Sequence, residues 1–225
     1  MTELGPEALE FVRDRVIHVV GHELRTPLTT VRGLADLLAD ASDEELRSTL
    51  IPALVRNARR AERLLDDLLI AAEIDTARPT DPPVAVDLAA IVADAVAGTS
   101  VIVEGTPSAP ALGHRDAVAH SVGHLVDNAE QYGDRPSLVR FEGGGGTVVT
   151  VIETPVDQDM PDLELGFELF FRGEHAVTRA AGLGVGLPVA RALARMDGGD
   201  VTIHQGGGTV VARLVLPSAR DDERP

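Results

Sequence analysis

Apolar residues in the first forty positions recur in steps of three and four: Ile17, Val20, Leu24, Leu28, Val31, Ala35 and Leu38. That spacing predicts one long amphipathic helix, from about Ala8 to Asp40, with a continuous apolar stripe. Pro27 falls inside it and is expected to bend it, because proline lacks an N–H and crowds the preceding turn. Ser42 follows as a helix cap, with Glu45 placed to complete a capping box. A second stripe then runs through Leu46, Leu50, Ala53, Asn57, Ala61, Leu64, Leu68 and Ala71. Pro52 sits early in this stretch, so the helix either bends there or begins near Ile51. Two such helices with a short link make a helical hairpin that cannot cover its own stripe. A second copy would cover it by forming a four-helix bundle, or the rest of the chain would do so.

One residue on the first helix stands apart. His22 lies two positions from both Val20 and Leu24, roughly 200° around the axis, and so points away from the stripe. A histidine there is an ordinary surface residue unless the remainder of the chain gives it a task.

Residues 77–83 are proline-rich, without periodicity, and read as a linker. Beyond them the pattern changes to alternating short elements. Asp87 caps a helix to Ala97, and Val101–Val103 is a strand. Arg115–Tyr132 is helical. Gly143–Gly146 turns into the strand Thr147–Glu153, and Leu163–Phe171 is a short helix. A glycine-rich turn, Gly182–Gly186, opens a helix from Leu187 to Asp197. Asp200–His204 and Thr209–Leu216 form a last hairpin. Residues 84–217 are therefore expected to be a layered α/β sandwich, and 218–225 a disordered acidic tail. The fold class is α+β.

Charge narrows the partners. With 36 acids against 20 bases the chain carries a formal −16, which argues against nucleic acid or an anionic membrane surface. Every base is arginine, and there is no cysteine, so thiolate metal sites, disulfides and a Cys nucleophile are excluded. No run of about 18 apolar residues exists and no signal-like N-terminus precedes the first helix, so the expected location is the cytoplasm, with no membrane segment in this chain.

Two stretches carry chemistry besides His22. Gly182-Leu183-Gly184-Val185-Gly186-Leu187 opens a helix, where free N–H groups and close backbone approach suit a phosphate. It lacks the lysine of a P-loop and the spacing of a dinucleotide fold. His124 to Tyr132 places Asn128 one turn after His124, and an amide oxygen is a hard ligand suited to Mg²⁺.

Taken in order, these stretches resemble the sensor histidine kinases. Gly21-His22-Glu23-Leu24-Arg25-Thr26-Pro27-Leu28 is similar to the family's phospho-acceptor box, and Leu64–Leu69 to its second dimerisation helix. Asn128-Ala129 with Tyr132 resembles the asparagine box, Phe167–Glu174 the phenylalanine box, Gly182–Leu187 the second glycine box, and Gly207-Gly208-Thr209 the last one. The resemblance spans roughly residues 8–217. It implies a homodimeric phospho-acceptor hairpin over 8–76 and an ATP-binding domain of the GHKL type over 84–217. His22 would be the phospho-acceptor, with Glu23 fixing its tautomer and accepting the proton, and Thr26 positioning water. Asn128, Tyr132, Glu153, Arg172, Gly182, Gly184, Gly186, Leu187 and Thr209 would bind ATP, Asn128 through Mg²⁺. The implied partners are a second copy, a response regulator, and a sensor module or separate sensor protein outside this chain.

The chain departs from the family pattern at the first glycine box. Glu153-Thr154-Pro155-Val156-Asp157 stands where an aspartate and two glycines are expected, His124 replaces an asparagine, and Gln131 a base. The alternative reading is therefore a degenerate, ATP-independent histidine phosphotransfer or regulator-docking protein.

Overall fold

A computed structural model describes residues 6–38, 41–73, 81–161, 163–171 and 183–219; side chains 6–19, 22, 23, 59, 60, 72 and 73 lie outside the description. Residues 220–225 of the expected tail and most of the expected linker also lie outside it, whereas Ser218 and Ala219, placed in that tail from the sequence, are hydrogen-bonded to Gly146 and Pro110. The chain divides into two compact units, Met1–Leu69 with Ala181–Leu183, and Ile70–Ala180 with Gly184–Pro225.

The first unit holds two long helices. Helix α1, Pro6–Leu37, runs on through Pro27 as a single element. Its covered residues are Val20, Leu24, Pro27, Val31, Leu34 and Leu38, whereas Leu28 is 55% exposed and Ala35 is exposed too. The stripe thus alternates steps of four and three, a 3.5-residue repeat, and passes through Pro27 and Leu34 rather than Leu28 and Ala35. The capping box forms as expected at the next helix start, α2 (Asp43–Glu45). Ser42 N–H donates to Glu45 Oε2 at 3.1 Å, and Glu45 N–H donates to Ser42 Oγ at 3.4 Å. The hydrogen bonds from Ser42 hold the Glu45 carboxyl below its usual range. A wide π turn, Leu46–Leu50, precedes helix α3, Ile51–Glu73. Pro52 supplies no N–H to the preceding turn, and the wide turn sits where that donor is missing.

The second unit is built on a five-stranded sheet in the order β2-β4-β5-β7-β6. These strands are β2 (Ile102–Glu104), β4 (Leu138–Gly144), β5 (Thr147–Pro155), β6 (Asp200–Gly206) and β7 (Thr209–Pro217). β2 runs parallel to β4 and the other pairs are antiparallel. Two short strands, β1 (Val84–Val86) and β3 (Ala111–Gly113), pair antiparallel apart from that sheet. Three helices pack on it: α4 (Leu88–Val96), α5 (Arg115–Tyr132) and α6 (Gly186–Met196). Asp87 caps α4, its side chain accepting from Ala90 N–H at 3.1 Å.

Strand alternation decides the layers. The cross-strand row Val139, Ile152, Ala212 and Ile203 faces the helices and belongs to one buried cluster with Leu88, Val92, Val122, Leu125, Val126 and Ala190. The opposite face carries Val149 and Val151 beneath two ion pairs, Arg140 with Glu153 and Arg213 with Glu142. Arginine stems lie across apolar neighbours while their heads reach water, which is how a charged face can still cover valines.

Among the described residues, Thr150 Oγ1 is a buried side-chain oxygen without a hydrogen-bond partner, on the helix-facing side of β5. A desolvated, unpaired hydroxyl costs more than the methyl that would replace it. Thr150→Val should therefore raise the unfolding free energy by about 1 kcal/mol in guanidinium denaturation; a loss of stability would show that the hydroxyl is partnered after all.

Candidate functional site

Helix α5 is the frame of the site. Val118, Ser121, Val122, Leu125, Val126 and Ala129 form its buried stripe. His124 and Asn128, four residues apart, share the half-covered flank beside it, while Asp127 and Glu130 are exposed. Two fixtures hold the helix. At its start, Asp197 at the end of α6 accepts from the His114 backbone N–H at 3.0 Å. Midway, Ser121 Oγ donates to the carbonyls of Ala117 and, across to α6, Ala190.

The glycine turn, described from residue 183 onwards, lies against this flank. Gly184 has φ +69°, and a side chain there would also meet the Phe171 carbonyl oxygen at 2.5 Å. Its carbonyl accepts from Phe170 N–H at 2.9 Å, so the phenylalanine-rich segment is fastened directly to the turn. At Gly186, the first residue of α6, an added Cβ would stand 3.1 Å from His124 Nδ1. The N-cap position of α6, Val185, offers no side-chain hydrogen bond, and Pro188 needs none. Among the described residues no side chain caps the N–H groups of Gly186 and Leu187, at the positive end of an 11-residue helix.

The far end of α6 is braced. Arg191 and Arg195 both reach Asp200, at 3.2 and 3.0 Å. Burial would raise the Asp200 carboxyl, but hydrogen bonds from Arg195 and the Val201 N–H, with the two arginine charges, hold it below its usual range. The Arg191 guanidinium also lies 3.6 Å from the Phe167 ring centroid, clamping the turn Leu163–Phe167 onto α6.

The sequence-predicted residues divide as follows. Asn128, Gly184, Gly186 and Leu187 are brought to one neighbourhood of the second unit, with Tyr132 one turn beyond Asn128 on α5. Glu153 and Thr209 are not. Glu153 pairs with Val211 in the register and belongs with Val149 and Val151 to the sheet face opposite the helices, where it is paired with Arg140. Thr209 shares the parity of Val211, one step from the helix-facing Val210. The two-residue period of a strand sets them on the face away from Gly186. The neighbour that faces the helices is Thr154: buried, with Ser137 Oγ donating to its hydroxyl at 3.4 Å and to the Ala129 carbonyl on α5. Extending the alternation Val148, Thr150, Ile152 by one step would have found it in the sequence. Arg172 and Gly182 lie outside the described residues. His22 and Glu23 lie on α1, their side chains outside the description, and Thr26 is exposed one turn later.

Residues 12–77 match the model of the His Kinase A (phospho-acceptor) domain, and residues 113–220 that of the histidine kinase-, DNA gyrase B- and HSP90-like ATPase. The chain belongs to the sensor histidine kinases of two-component systems. Among related kinases, the sensor-like histidine kinase SenX3 of Mycobacterium tuberculosis is 30% identical over 236 residues, covering 96% of this chain and 58% of the relative. The sensor histidine kinase MtrB of the same species is 33% identical over 219 residues, covering 89% of this chain and 38% of MtrB. The chain thus spans about half the length of the curated relatives it matches. In fold it is similar to full-length ShkA in complex with AMPPNP, with a TM-score of 0.61 at 21% identity over 92% of this chain and 46% of that one. It is also similar to Acinetobacter baumannii AdeS, with a TM-score of 0.55 at 20% identity over 88% and 98%.

Glycines in this kinase differ in what they do, and substitution separates them. Gly184→Ala forces a side chain into left-handed backbone and into a carbonyl, and should destabilise the second unit by about 1–3 kcal/mol. Gly123 sits inside α5 with ordinary φ and open space around it, so Gly123→Ala should stabilise by up to about 1 kcal/mol. Denaturation of both variants checks the contrast; equal effects would contradict it.

Proposed function

We propose that this chain is the catalytic core of a two-component histidine kinase, which uses ATP to phosphorylate His22 and passes the phosphoryl group to an aspartate on the receiver domain of a response regulator. The observation that carries this reading is the uncapped N-terminus of α6 at Gly186, lying against the flank of α5 that bears Asn128. It is joined in one chain to the acceptor sequence His22-Glu23-Leu24-Arg25-Thr26. The AMPPNP complex of the structurally similar ShkA supports a nucleotide in a fold of this kind.

The chemistry follows from the residues. A neutral imidazole is a competent nucleophile near neutral pH. One ring nitrogen of His22 forms a bond to the γ-phosphorus as the bond from that phosphorus to the bridging oxygen breaks, and ADP departs. Glu23 holds the other ring nitrogen and takes its proton. The N–H groups at Gly186 and Leu187 bind phosphate oxygens. Asn128 would hold Mg²⁺, which when bound neutralises charge on the transferring phosphates. Tyr132, Arg172 and Gly182 complete the nucleotide side, and Thr26 orients water for the reverse hydrolysis. Glu153 and Thr209, on the other face of the sheet, have no part in it.

The acceptor unit spans 8–76, the connection 77–83 and the ATP-binding unit 84–217. Leu28, Leu37, Leu65 and Leu69 are more than half exposed along the two long helices. A second copy covering them would form a four-helix bundle, so the working species is a homodimer. No helix among the described residues is long and apolar enough to cross a membrane. A receiver-domain partner places the reaction in the cytoplasm, with the signal arriving from a sensor module or protein outside these residues.

Incubation with Mg²⁺ and γ-labelled ATP should label the protein in a bond that is acid-labile and alkali-stable, as a phosphoramidate is. His22→Ala should abolish the label while leaving nucleotide binding by calorimetry intact, and Asn128→Ala should weaken both. Wild-type protein that stays unlabelled at saturating ATP would overturn the proposal.

A further inference from the structure

His114, the residue before α5, has both ring nitrogens engaged. Nδ1 lies 2.5 Å from Asp197 Oδ1, and Nε2 lies 2.8 Å from the backbone carbonyl oxygen of Asp81. The His114 backbone N–H also donates to the second oxygen of the same Asp197 carboxylate. A carbonyl and a carboxylate only accept, and a neutral imidazole has a single N–H, so only the imidazolium satisfies both contacts. The hydrogen bond to the Asp81 carbonyl, then that to Asp197, push the His114 pKa up, and burial works against them.

The surroundings are simple. Asp197, whose side chain is fully buried, and the exposed Asp81 are the carboxylates facing the ring. Arg115 and Asp116 follow on the exposed first turn of α5, and Arg195, near the end of α6, is paired with Asp200. β1 and β3 bring no charged residue. Along the chain, Asp81, Pro82 and Pro83 are exposed, and the next backbone anchor is Val84, paired with Gly113. The two prolines have no N–H with which to anchor themselves.

We propose that His114 is a proton-operated fastener for the segment that leads into β1: charged, it ties Asp81 to the seam between α5 and α6, and loss of one proton releases Asp81, Pro82 and Pro83. The asymmetry comes from the two acceptors. The neutral ring keeps its remaining proton on Nδ1, where a carboxylate makes the stronger, charge-assisted bond. Its Nε2 lone pair then faces the lone pairs of the Asp81 oxygen, and that contact fails. The proposal does not depend on the kinase reading.

The sign of the pH effect is fixed by the direction of the shift. A group whose pKa is raised by folding stabilises fully below its unfolded value, near 6.5, and this contribution is lost as pH rises through the folded value. The test uses the full-length ¹⁵N-labelled chain. His114 ring shifts and the ¹H–¹⁵N heteronuclear NOE of the Asp81 amide are followed against pH. Both should change at one midpoint above 6.5, with Asp81 ordered on the acid side and mobile on the alkaline side. Asp197→Asn, which keeps an oxygen for the backbone N–H, should move both midpoints down together. In His114→Gln the Asp81 amide should show no transition in this range, and its stability deficit against wild type should shrink as pH rises. An Asp81 amide that stays ordered while His114 titrates, or a His114 midpoint at or below 6.5, would overturn the proposal.

Discussion

The buried stripe of α5 is the constraint on which the rest of the second unit depends. Val118, Val122, Leu125, Val126 and Ala129 must all face the sheet, and a helix of about 3.6 residues per turn then has no freedom left in where His124 and Asn128 project. Because α6 packs against α5 as closely as Ser121 Oγ to the Ala190 carbonyl, 3.2 Å, its N-terminus arrives beside His124, and only glycine fits at Gly186 without displacing the ring. The arrangement proposed to bind phosphate is thus a by-product of core packing: the same apolar residues that stabilise the unit aim its polar ones. Asp197 closes the system at the other end of α6 by accepting from the backbone N–H of His114, the residue before α5, and from the His114 ring.

Local signals made most of this legible in the sequence. The capping box of Ser42 and Glu45, the cap at Asp87, the limits of α5 and the glycine turn all rest on chemistry within a few residues. What could not be read depends on distance or on a fine choice of phase. Over α1, a 3.6-residue and a 3.5-residue repeat diverge by only one position, and that one position exchanges Leu28 for Pro27 and Ala35 for Leu34. The wide turn at Leu46–Leu50 comes from a single missing donor at Pro52. The contact of His114 with Asp197 spans 83 residues of sequence, and no local pattern announces it. Strands β1 and β3 have three residues each, too short for alternation to register. Glu153 is different: its face was readable from the period of β5, and the carboxylate drew attention away from the period.

Electrostatics bears on how a chain of net charge −16 can hold a triphosphate. In the second unit, five of the six arginines whose side chains are described are engaged with acids. Arg140 and Arg213 are paired across the outer sheet face, Arg135 with Asp157, and Arg191 and Arg195 with Asp200. With no lysine in the chain, and glutamine at Gln131, the described part of the nucleotide site leans on backbone amides and an amide oxygen rather than on mobile cations. Backbone donors at a helix start are fixed before the ligand arrives, so they bind an anion without ordering a long side chain first. In the proposed site a divalent metal would then be the principal source of positive charge at the phosphates, which would tie affinity for nucleotide to Mg²⁺ more tightly than in a lysine-bearing site.

The departures from the family's first glycine box are accommodated without strain, and this bears on whether they mark decay. β4 stops pairing with β5 at Glu153, so beyond that residue β5 has a partner only in β7. Val156 N–H donates to the Gly208 carbonyl on the β7 side at 2.9 Å, and by alternation the nitrogen of Pro155 points to the opposite, unpaired side. Proline there removes no ladder hydrogen bond, and its carbonyl still accepts from Asp134 N–H at 3.0 Å. Asp157 N–H is taken up by the Asp134 carboxylate at 2.8 Å, and its own carboxylate pairs with Arg135. None of Pro155, Val156 or Asp157 has left-handed backbone, so the flexibility that glycines would supply is not called upon. The ends of the β4–β5 hairpin are stitched together by Asp134, Arg135 and Asp157, and the polar groups facing α5 there are the neutral hydroxyls of Ser137 and Thr154.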